Sequence, residues 1–264
     1  MSEDIIIEKL NEAIKQNKGA GLVSVVDSTG SSPGKKGFIM AVFDDKSTVG
    51  TIGGGEVEKL VIEKAIKCID EGRDELLTFK LEDKGDLHIQ CGGTITIFIK
   101  TFGRKDKLLI AGGGHVSKAI YEIAKNFNFK IVIFEDRKEY GNIERFPNCE
   151  IIIGDIGENI KNYNIDNRCY IVIVTRGHIQ DENALKASLN RGAAYVGMIG
   201  SINKTKHIMQ NLLNEGYSKD ELERVYAPIG ICIGGDSAEE IALSILSEIF
   251  IVKNKGQLRH KRDI

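Results

Sequence analysis

Two runs of glycines precede predicted helices in this chain, and both have the composition of anion-binding turns. Gly112-Gly113-Gly114 ends an apolar run and is followed at once by helical periodicity, and Gly53-Gly54-Gly55 occupies a similar position earlier in the chain. Glycines let backbone N–H groups approach a ligand closely, and the first turn of a helix presents unpaired amides and the positive end of its dipole. The expected ligand therefore carries phosphate. Candidate contacts at the Gly112–Gly114 turn are Gly112, Gly114 and His115.

A second apolar run, residues 130–134, follows the later glycines after about twenty residues and ends in Glu135-Asp136-Arg137. In dinucleotide-binding folds an acid at this position accepts hydrogen bonds from a ribose, and Asp136 is our candidate. Ser117 stands where a third glycine is usual. The order of elements predicts a Rossmann-type unit without predicting hydride transfer. The alternative is a doubly wound domain whose turn glycines serve only tight packing.

Two further polar segments, residues 175–181 and 200–204, each follow a predicted strand. Ligands of parallel sheets gather at the carboxyl ends of the strands, so both segments should share one edge with the Gly112 turn. His178 and Asp181 have the residue types of a base with its orienting partner, or of a ligand-binding pair. The alternative for His178 is a loop histidine in water, before a helix predicted near residues 182–190. The candidate contacts at this edge are Arg176, His178, Asp181, Ser201 and Lys204.

The N-terminal part carries a second group of candidate contacts. Residues 27–37 combine hydroxyls, glycines and two lysines, which offer many donors to an anionic group, although an ordinary polar hairpin loop has the same composition. Glu58 lies in the first turn of the helix after Gly55, where the helix dipole stabilises a carboxylate with or without a binding role. The candidates here are Ser31, Ser32, Gly53, Gly54, Gly55 and Glu58.

The five cysteines lie far apart, without the spacing of a zinc site, so reduced thiols and no structural metal are expected. Cys91 differs from the others because two glycines follow it and give access to its thiol. It is a candidate soft ligand or nucleophile, with an unreactive thiol as the alternative. We expect inert core thiols at Cys68, Cys149, Cys169 and Cys232.

The composition predicts a soluble α/β protein of two domains. The chain has 264 residues, of which 42% are hydrophobic and 28% charged, with a formal net charge of −2. This small net charge predicts no broad surface for binding nucleic acid or membranes. The acidic N-terminus and the lack of a long apolar run in the sequence favour a cytoplasmic location. Charge and glycine at residues 102–106 place the boundary. We predict a small N-terminal α/β domain at residues 1–104 and a Rossmann-like parallel-sheet domain at residues 105–264.

These motifs together resemble the XdhC/CoxI family, the accessory proteins of xanthine dehydrogenase and related molybdenum hydroxylases. The resemblance covers nearly the whole chain in order. It departs from the family pattern at Gly34-Lys35, at His88-Ile89-Gln90, at Cys232 in place of a usual aspartate, and at Ser237-Ala238. The motifs that carry it are Thr29-Gly30-Ser31-Ser32-Pro33, Ile52-Gly53-Gly54-Gly55 with Glu58, Cys91-Gly92-Gly93, Gly114-His115-Val116, Glu144-Arg145-Phe146-Pro147, Thr175-Arg176-Gly177-His178 with Asp181, Tyr195-Val196-Gly197-Met198-Ile199-Gly200-Ser201 with Lys204, and Ala227-Pro228-Ile229-Gly230.

The resemblance implies a protein that binds the molybdenum cofactor, as molybdopterin or its dinucleotide form, assists its sulfuration and inserts it into an apo-molybdenum hydroxylase. It also implies a cysteine desulfurase as partner, a homodimer, and Cys91 as a contact to molybdenum or its sulfur. Two other hypotheses stay open at this point. Gly112–Gly114 and Asp136 suit an NAD(P)-dependent oxidoreductase, and a protein-interaction adaptor with a vestigial pocket has the same fold.

Overall fold

An antiparallel five-stranded sheet forms the centre of the first unit, Met1–Arg104, in a computed structural model that describes residues 2–81 and 93–263. The strand order is β3-β2-β1-β5-β4, and every described pair of neighbours is antiparallel. The strands are β1 (Ala20–Thr29), β2 (Ile39–Phe43), β3 (Thr48–Gly50), β4 (Glu75–Leu81) and β5 (Gly93–Phe102), and the helices are α1 (Glu3–Lys15) and α2 (Gly55–Glu71).

Both faces of this sheet are covered because side chains alternate along β1. Val23 lies in a buried cluster with Val61 of α2, whereas Ala20 lies in a separate cluster with Leu10 of α1. Successive strand residues point to opposite faces, so the two helices cover opposite sides of the sheet. The larger core, on the α2 side, is the one beneath the Gly53–Gly55 turn.

A parallel five-stranded sheet with helices around it forms the second unit, Lys105–Ile264. The strand order is β10-β9-β6-β7-β8, and each of its pairs is parallel. The predicted Rossmann-like fold class is confirmed. Its strands are β6 (Asp106–Ala111), β7 (Phe129–Glu135), β8 (Glu150–Ile153), β9 (Cys169–Ile173) and β10 (Tyr195–Met198), and its helices are α3 (His115–Ala124), α4 (Ile156–Asn162), α5 (His178–Ser188), α6 (Ile202–Asn214), α7 (Lys219–Leu222) and α8 (Ala238–Lys253).

The central strands are apolar on both faces because a helical layer packs on each. Leu108 and Ile110 of β6 pack in one cluster with α3 and α8, whereas Leu109 and Ala111 pack in another with α4, α5 and α6. A strand buried on both sides is a continuous apolar run in the sequence, as residues 108–111 are.

The direction of chain travel reverses beside β6, and this places the candidate site. From β6 the chain proceeds to β7 and β8 on one side, then returns to add β9 and β10 on the other side. The crevice at the carboxyl ends of β6 and β9 is therefore the topological switch point, where ligands of open α/β sheets bind. The segments after β6, β7, β9 and β10 all lie at this edge.

One helix begins earlier than the sequence predicts, and another helix lies between β8 and β9. The helix predicted near residue 182 begins earlier, at His178. Its N-cap is Gly177, which has no capping side chain, so the sequence carries no signal for the start of the helix. Residues 156–162 form α4. Asp155 caps that helix by accepting a hydrogen bond from the Glu158 N–H at 2.8 Å, and Ile156 and Ile160 are buried.

Candidate functional site

The Gly112–Gly114 turn combines two crowded glycines with one open glycine. Gly112 has φ +108°, and a Cβ there would lie 2.5 Å from the Val174 carbonyl oxygen. A Cβ on Gly113 would lie 2.7 Å from the Tyr140 carbonyl oxygen. Gly114 has φ −71°, and apart from residues 113–115 no atom of residues 2–81 or 93–263 comes within 4 Å of a Cβ built there. Packing therefore explains the first two glycines, while the third leaves space in front of the amides of α3.

A cavity of about 230 Å³ opens at this turn. The cavity is lined by residues at the ends of β6, β7 and β9 and by Ile199 after β10. The structure therefore brings together three predicted segments, namely the Gly112 turn, residues 135–137 and the start of residues 175–181. His115, the first residue of α3, is exposed at the cavity wall. Two guanidinium groups, those of Arg137 and Arg176, accompany the helix N-terminus there. The lining is Gly112, Gly113, Gly114, His115, Val116, Glu135, Arg137, Val174, Thr175, Arg176 and Ile199.

Glu135, the last residue of β7, is the acid at the strand end, and its side chain is only 2% exposed. Its Oε2 accepts a hydrogen bond from the Gly113 N–H at 2.6 Å, and its Oε1 accepts from the Asp136 and Arg137 N–H groups, each at 3.1 Å. The guanidinium of Arg137 donates to both oxygens, at 3.0 and 3.3 Å. This hydrogen bond to Glu135 raises the pKa of Arg137. The carboxylate fixes the glycine turn from the neighbouring strand.

The Gly113 peptide is held on its other side by Arg145, whose Nη2 donates to the Gly113 carbonyl oxygen at 3.0 Å. Arg145 and Arg137 both lie over the ring of Tyr140, at 5.3 and 3.8 Å from its centroid. Sequence reasoning missed Glu135 and Arg145 as members of the site. Arg145 lies within the quoted motif 144–147, and Glu135 ends the apolar run, so both signals were present in the sequence.

Asp136 lies one residue beyond the strand and makes contacts different from those of Glu135. Its Oδ2 accepts hydrogen bonds from the Arg176 Nη2 at 2.9 Å and from the Gln180 Nε2 at 2.8 Å. These bonds join the segments after β7 and β9 and hold the guanidinium of Arg176 at the cavity wall. A contact between Asp136 and a ribose stays a prediction, and its visible role is to position Arg176.

Asp181 is fully buried and forms an ion pair with Lys204. Its Oδ1 accepts from the Thr175 N–H at 3.1 Å and from the Thr175 hydroxyl at 2.6 Å, and its Oδ2 accepts from the Lys204 ammonium. Lys204 also donates to the Ile199 carbonyl oxygen at 3.3 Å. Because Thr175 and Lys204 engage both carboxylate oxygens, Asp181 does not orient His178, which is exposed at the start of α5.

Ser201 serves as the N-cap of α6, where its hydroxyl accepts a hydrogen bond from the Lys204 N–H at 3.2 Å. Its side chain is exposed at the same edge of the sheet. Together with the Asp181–Lys204 pair, this cap fixes the segments after β9 and β10. A ligand contact by Ser201 or Lys204 remains a prediction.

In the first unit, Glu58 organises the Gly53–Gly55 turn. Its Oε2 accepts hydrogen bonds from the Ile52 and Gly54 N–H groups, each at 3.0 Å. The φ angles of Gly53, Gly54 and Gly55 are +122°, +76° and +73°, a region that favours glycine. This carboxylate stabilises a turn of positive-φ glycines at the N-terminus of α2.

The backbones of three segments come together around that turn. A Cβ on Gly34 would lie 2.1 Å from the Ile52 carbonyl oxygen, and a Cβ on Gly93 would lie 2.4 Å from the Thr29 carbonyl oxygen. Ser31 is exposed, and the hydroxyl of the half-buried Ser32 donates to the Gly34 carbonyl oxygen at 3.0 Å. The structure therefore brings the predicted serine loop to the glycine turn. Their joint binding of an anion stays a prediction.

The cysteines divide by exposure. Burial raises the pKa of the Cys68 and Cys149 thiols to about 11, and Cys169 is also buried. Cys232 is exposed in the segment before α8, so the expectation of a core thiol there is wrong. Cys91, our candidate metal ligand, lies outside the described residues. Within the described ranges, no group of three or more His, Cys, Asp or Glu side chains could hold a metal ion, and no helix could span a membrane.

The fold and the site define a Rossmann-type protein with an open glycine turn at a helix N-terminus, preceded by a smaller α/β unit. Two family models match the sequence, the XdhC Rossmann domain over residues 108–249 and the XdhC and CoxI family over residues 13–80. The chain therefore belongs to the XdhC and CoxI family, which confirms the resemblance described above.

This chain is similar to several known proteins. Uncharacterized protein YqeB of Escherichia coli K12 is 32% identical over 92% of this chain and 45% of its own length. A probable xanthine dehydrogenase subunit of Bacillus subtilis 168 is 23% identical over 61% of this chain and 47% of its own length. The chain thus spans about half the length of these two relatives.

Molybdenum cofactor insertion chaperone PaoD of Escherichia coli K12 is 22% identical over 92% of this chain and 86% of its own length. The crystal structure of a xanthine dehydrogenase from Bacillus halodurans is 20% identical, covers 96% of both chains and has a TM-score of 0.52. This similarity shows a shared fold.

Proposed function

We propose that this chain is a cytoplasmic accessory protein that binds the molybdenum cofactor as cargo and supports its sulfuration and its insertion into an apo-molybdenum hydroxylase. The observation that carries the proposal is the open turn at Gly114 in front of α3, in a chain whose family matches lie in both units. The similarity to a relative named as a molybdenum cofactor insertion chaperone, over most of both lengths, supports the choice of cargo.

The residues at the turn fit a phosphate group of this cofactor. Molybdopterin carries a phosphate and its dinucleotide form a pyrophosphate, and a helix N-terminus with free space beside it suits either. Arg137 and Arg176 bring guanidinium donors to the cavity wall, and such groups pair well with phosphate oxygens. In the proposal, the amides of Gly114 and His115 bind the phosphate, and Asp136 keeps Arg176 in place.

The N-terminal unit has a separate role in the proposal. Cys91 contacts the molybdenum or its sulfur, because thiolates suit soft metal centres. The segment of Ser31 and Ser32 and the turn held by Glu58 provide further donors for the cofactor. A cysteine desulfurase supplies the sulfur, the apo-hydroxylase receives the loaded cofactor, and the chain acts as a homodimer.

An NAD(P)-dependent oxidoreductase is the second candidate, favoured by the Rossmann turn. It ranks lower because the acid at the end of β7, which would bind a ribose in such enzymes, is engaged with Gly113 and Arg137. A protein-interaction adaptor ranks third, because it leaves the open space at Gly114 without a purpose.

Binding under anaerobic conditions tests the proposal. Thermal unfolding is recorded with molybdenum cofactor, its cytidine dinucleotide form and NAD(P)H, on the wild type and on Cys91→Ala. A ligand at one hundred times its Kd stabilises the folded state by about 2.7 kcal/mol, which is readily measured. We expect stabilisation by a molybdopterin ligand that is weaker in Cys91→Ala and unchanged in Cys232→Ala, the exposed-cysteine control. Stabilisation by NAD(P)H alone would favour the oxidoreductase.

A further inference from the structure

The carboxylate of Glu135 has no acceptor capacity left for a ligand. It accepts five hydrogen bonds, three from the N–H groups of Gly113, Asp136 and Arg137 and two from the Arg137 guanidinium. An ionised carboxylate offers about four lone-pair sites. Its side chain is 2% exposed although the residue lines the cavity.

A Rossmann site that anchors a nucleotide needs the opposite arrangement. The acid at the end of the second strand there accepts hydrogen bonds from the ribose hydroxyls, about twenty residues after the glycine turn. Glu135 occupies that position, at the end of β7 beside β6. Its partners in this chain are internal donors, and a ribose diol would have to displace the Arg137 guanidinium to reach it.

Arg137 is held firmly enough to resist that displacement. Its guanidinium carbon lies 3.8 Å from the centroid of the Tyr140 ring, and its Nε lies 3.6 Å from an Asp136 oxygen. Its side chain is 24% exposed. A planar guanidinium with a stacking partner and two carboxylates loses more contacts on moving than a flexible lysine would.

We propose that the Glu135–Arg137 pair is a specificity determinant that excludes a ribose diol from the end of β7. The site then takes a phosphate-bearing ligand through α3 and the guanidinium groups, and Glu135 gives no added affinity to ribose-anchored dinucleotides such as NAD. The inference deepens the proposed function by naming the class of ligand, and it rests on that function only for the identity of the cargo.

The test compares two nucleotides that differ only in the diol. Dissociation constants of ADP and 2′,3′-dideoxy-ADP are measured by calorimetry, with inorganic pyrophosphate as the reference anion. In the wild type we expect the two nucleotides to bind within about twofold of each other. Arg137→Met removes two of the five hydrogen bonds to Glu135 and opens an acceptor site for a ribose hydroxyl, so ADP should bind roughly tenfold more tightly than its dideoxy form, as a hydrogen bond to a charged acceptor allows. Arg176→Met, which removes the other guanidinium of the cavity without a bond to Glu135, should keep the ratio near one.

Each outcome decides the inference. A wild type that already prefers ADP tenfold over dideoxy-ADP would overturn it, as would a folded Arg137→Met protein whose ratio stays near one. Arg137→Gln serves the same purpose if the methionine variant does not fold. A wild type that binds pyrophosphate but no ADP supports exclusion, and one that binds neither overturns it, because no anion site then exists. The proposed function and this inference can also fail separately. If the protein binds no molybdenum cofactor, but the ratio of the two nucleotide dissociation constants is near one in the wild type and raised in Arg137→Met, only the proposed function is refuted.

Discussion

Replacement of Gly114 by aspartate should weaken anion binding without harm to the fold. Gly114 is the N-cap of α3 with φ −71° and ψ −166°, a backbone conformation open to any residue, and no described atom outside residues 113–115 lies within 4 Å of its Cβ position. Aspartate is a favoured N-cap, so α3 should gain a few tenths of a kcal/mol, about the known difference from glycine. The variant therefore separates ligand binding from stability.

The expected loss follows from the charge placed at the turn. A carboxylate about 4 Å from a bound phosphate charge costs roughly 1 kcal/mol at the dielectric constant of water and roughly 4 kcal/mol at that of a protein surface. This corresponds to about 5-fold to 1,000-fold in Kd. Gly114→Asn is the matched control, because it has nearly the same shape and capping ability without the charge.

Calorimetric titration with pyrophosphate measures the effect at low and at high salt. We expect Gly114→Asp to bind at least fivefold more weakly than Gly114→Asn, with a smaller difference at high salt because ions screen the repulsion. Circular dichroism and thermal unfolding check that both variants fold. Equal affinity in folded aspartate and asparagine variants would refute the placement of an anion at α3.

Three further predictions concern the residues that support the site. Lys204→Met should lower the free energy of unfolding by about 3 kcal/mol, since it leaves the fully buried Asp181 without its cation, and urea unfolding measures this. Glu58→Ala should cost about 1–3 kcal/mol in the same assay, because two backbone N–H groups lose their acceptor. A short iodoacetamide pulse at pH 8 should label Cys232, which is exposed, well before Cys149, whose pKa of about 11 leaves roughly 0.1% thiolate. Peptide mass spectrometry reads the order.

Each of these predictions has a control within the chain. Lys219→Met breaks a pair whose side chains are 80% and 63% exposed, so it should change stability by less than about 0.5 kcal/mol. Glu56→Ala removes a more exposed acid of the same helical turn as Glu58. Equal effects in variant and control would show that burial and turn contacts do not matter. Faster labelling of Cys149 than of Cys232 would contradict the burial order.

The sequence contains enough to predict the fold class and the edge of the sheet that holds the site. Apolar runs buried on both faces predict parallel strands, and glycines between strand and helix mark the turn at Gly112. Ser117, which replaces the usual third glycine, is fully buried, as close packing of α3 on the sheet requires. The start of α5 was misplaced because Gly177 gives no capping signal.

The partners of the charged side chains could not be predicted, because they come from distant parts of the chain. Asp181 has the residue type of an orienting acid, yet its oxygens are engaged by Thr175 and Lys204. Glu135 and Asp136 are adjacent acids in the sequence. Glu135 accepts the hydrogen bond from the Gly113 N–H because it is the last residue of β7, and the sequence does not show where that strand ends. Residue type shows which hydrogen bonds a side chain can form. The packing of the strands and their connections determines which of its oxygens remain available to a ligand.

The most direct test of the proposed function is the molybdenum content of the protein after anaerobic incubation with molybdenum cofactor and gel filtration, measured by mass spectrometry of the metal. We predict close to one molybdenum per chain in the wild type and in Gly114→Asn, and a strong loss in Gly114→Asp. Wild-type protein that emerges without molybdenum, while a known cofactor-binding protein retains it under the same conditions, would contradict the proposal.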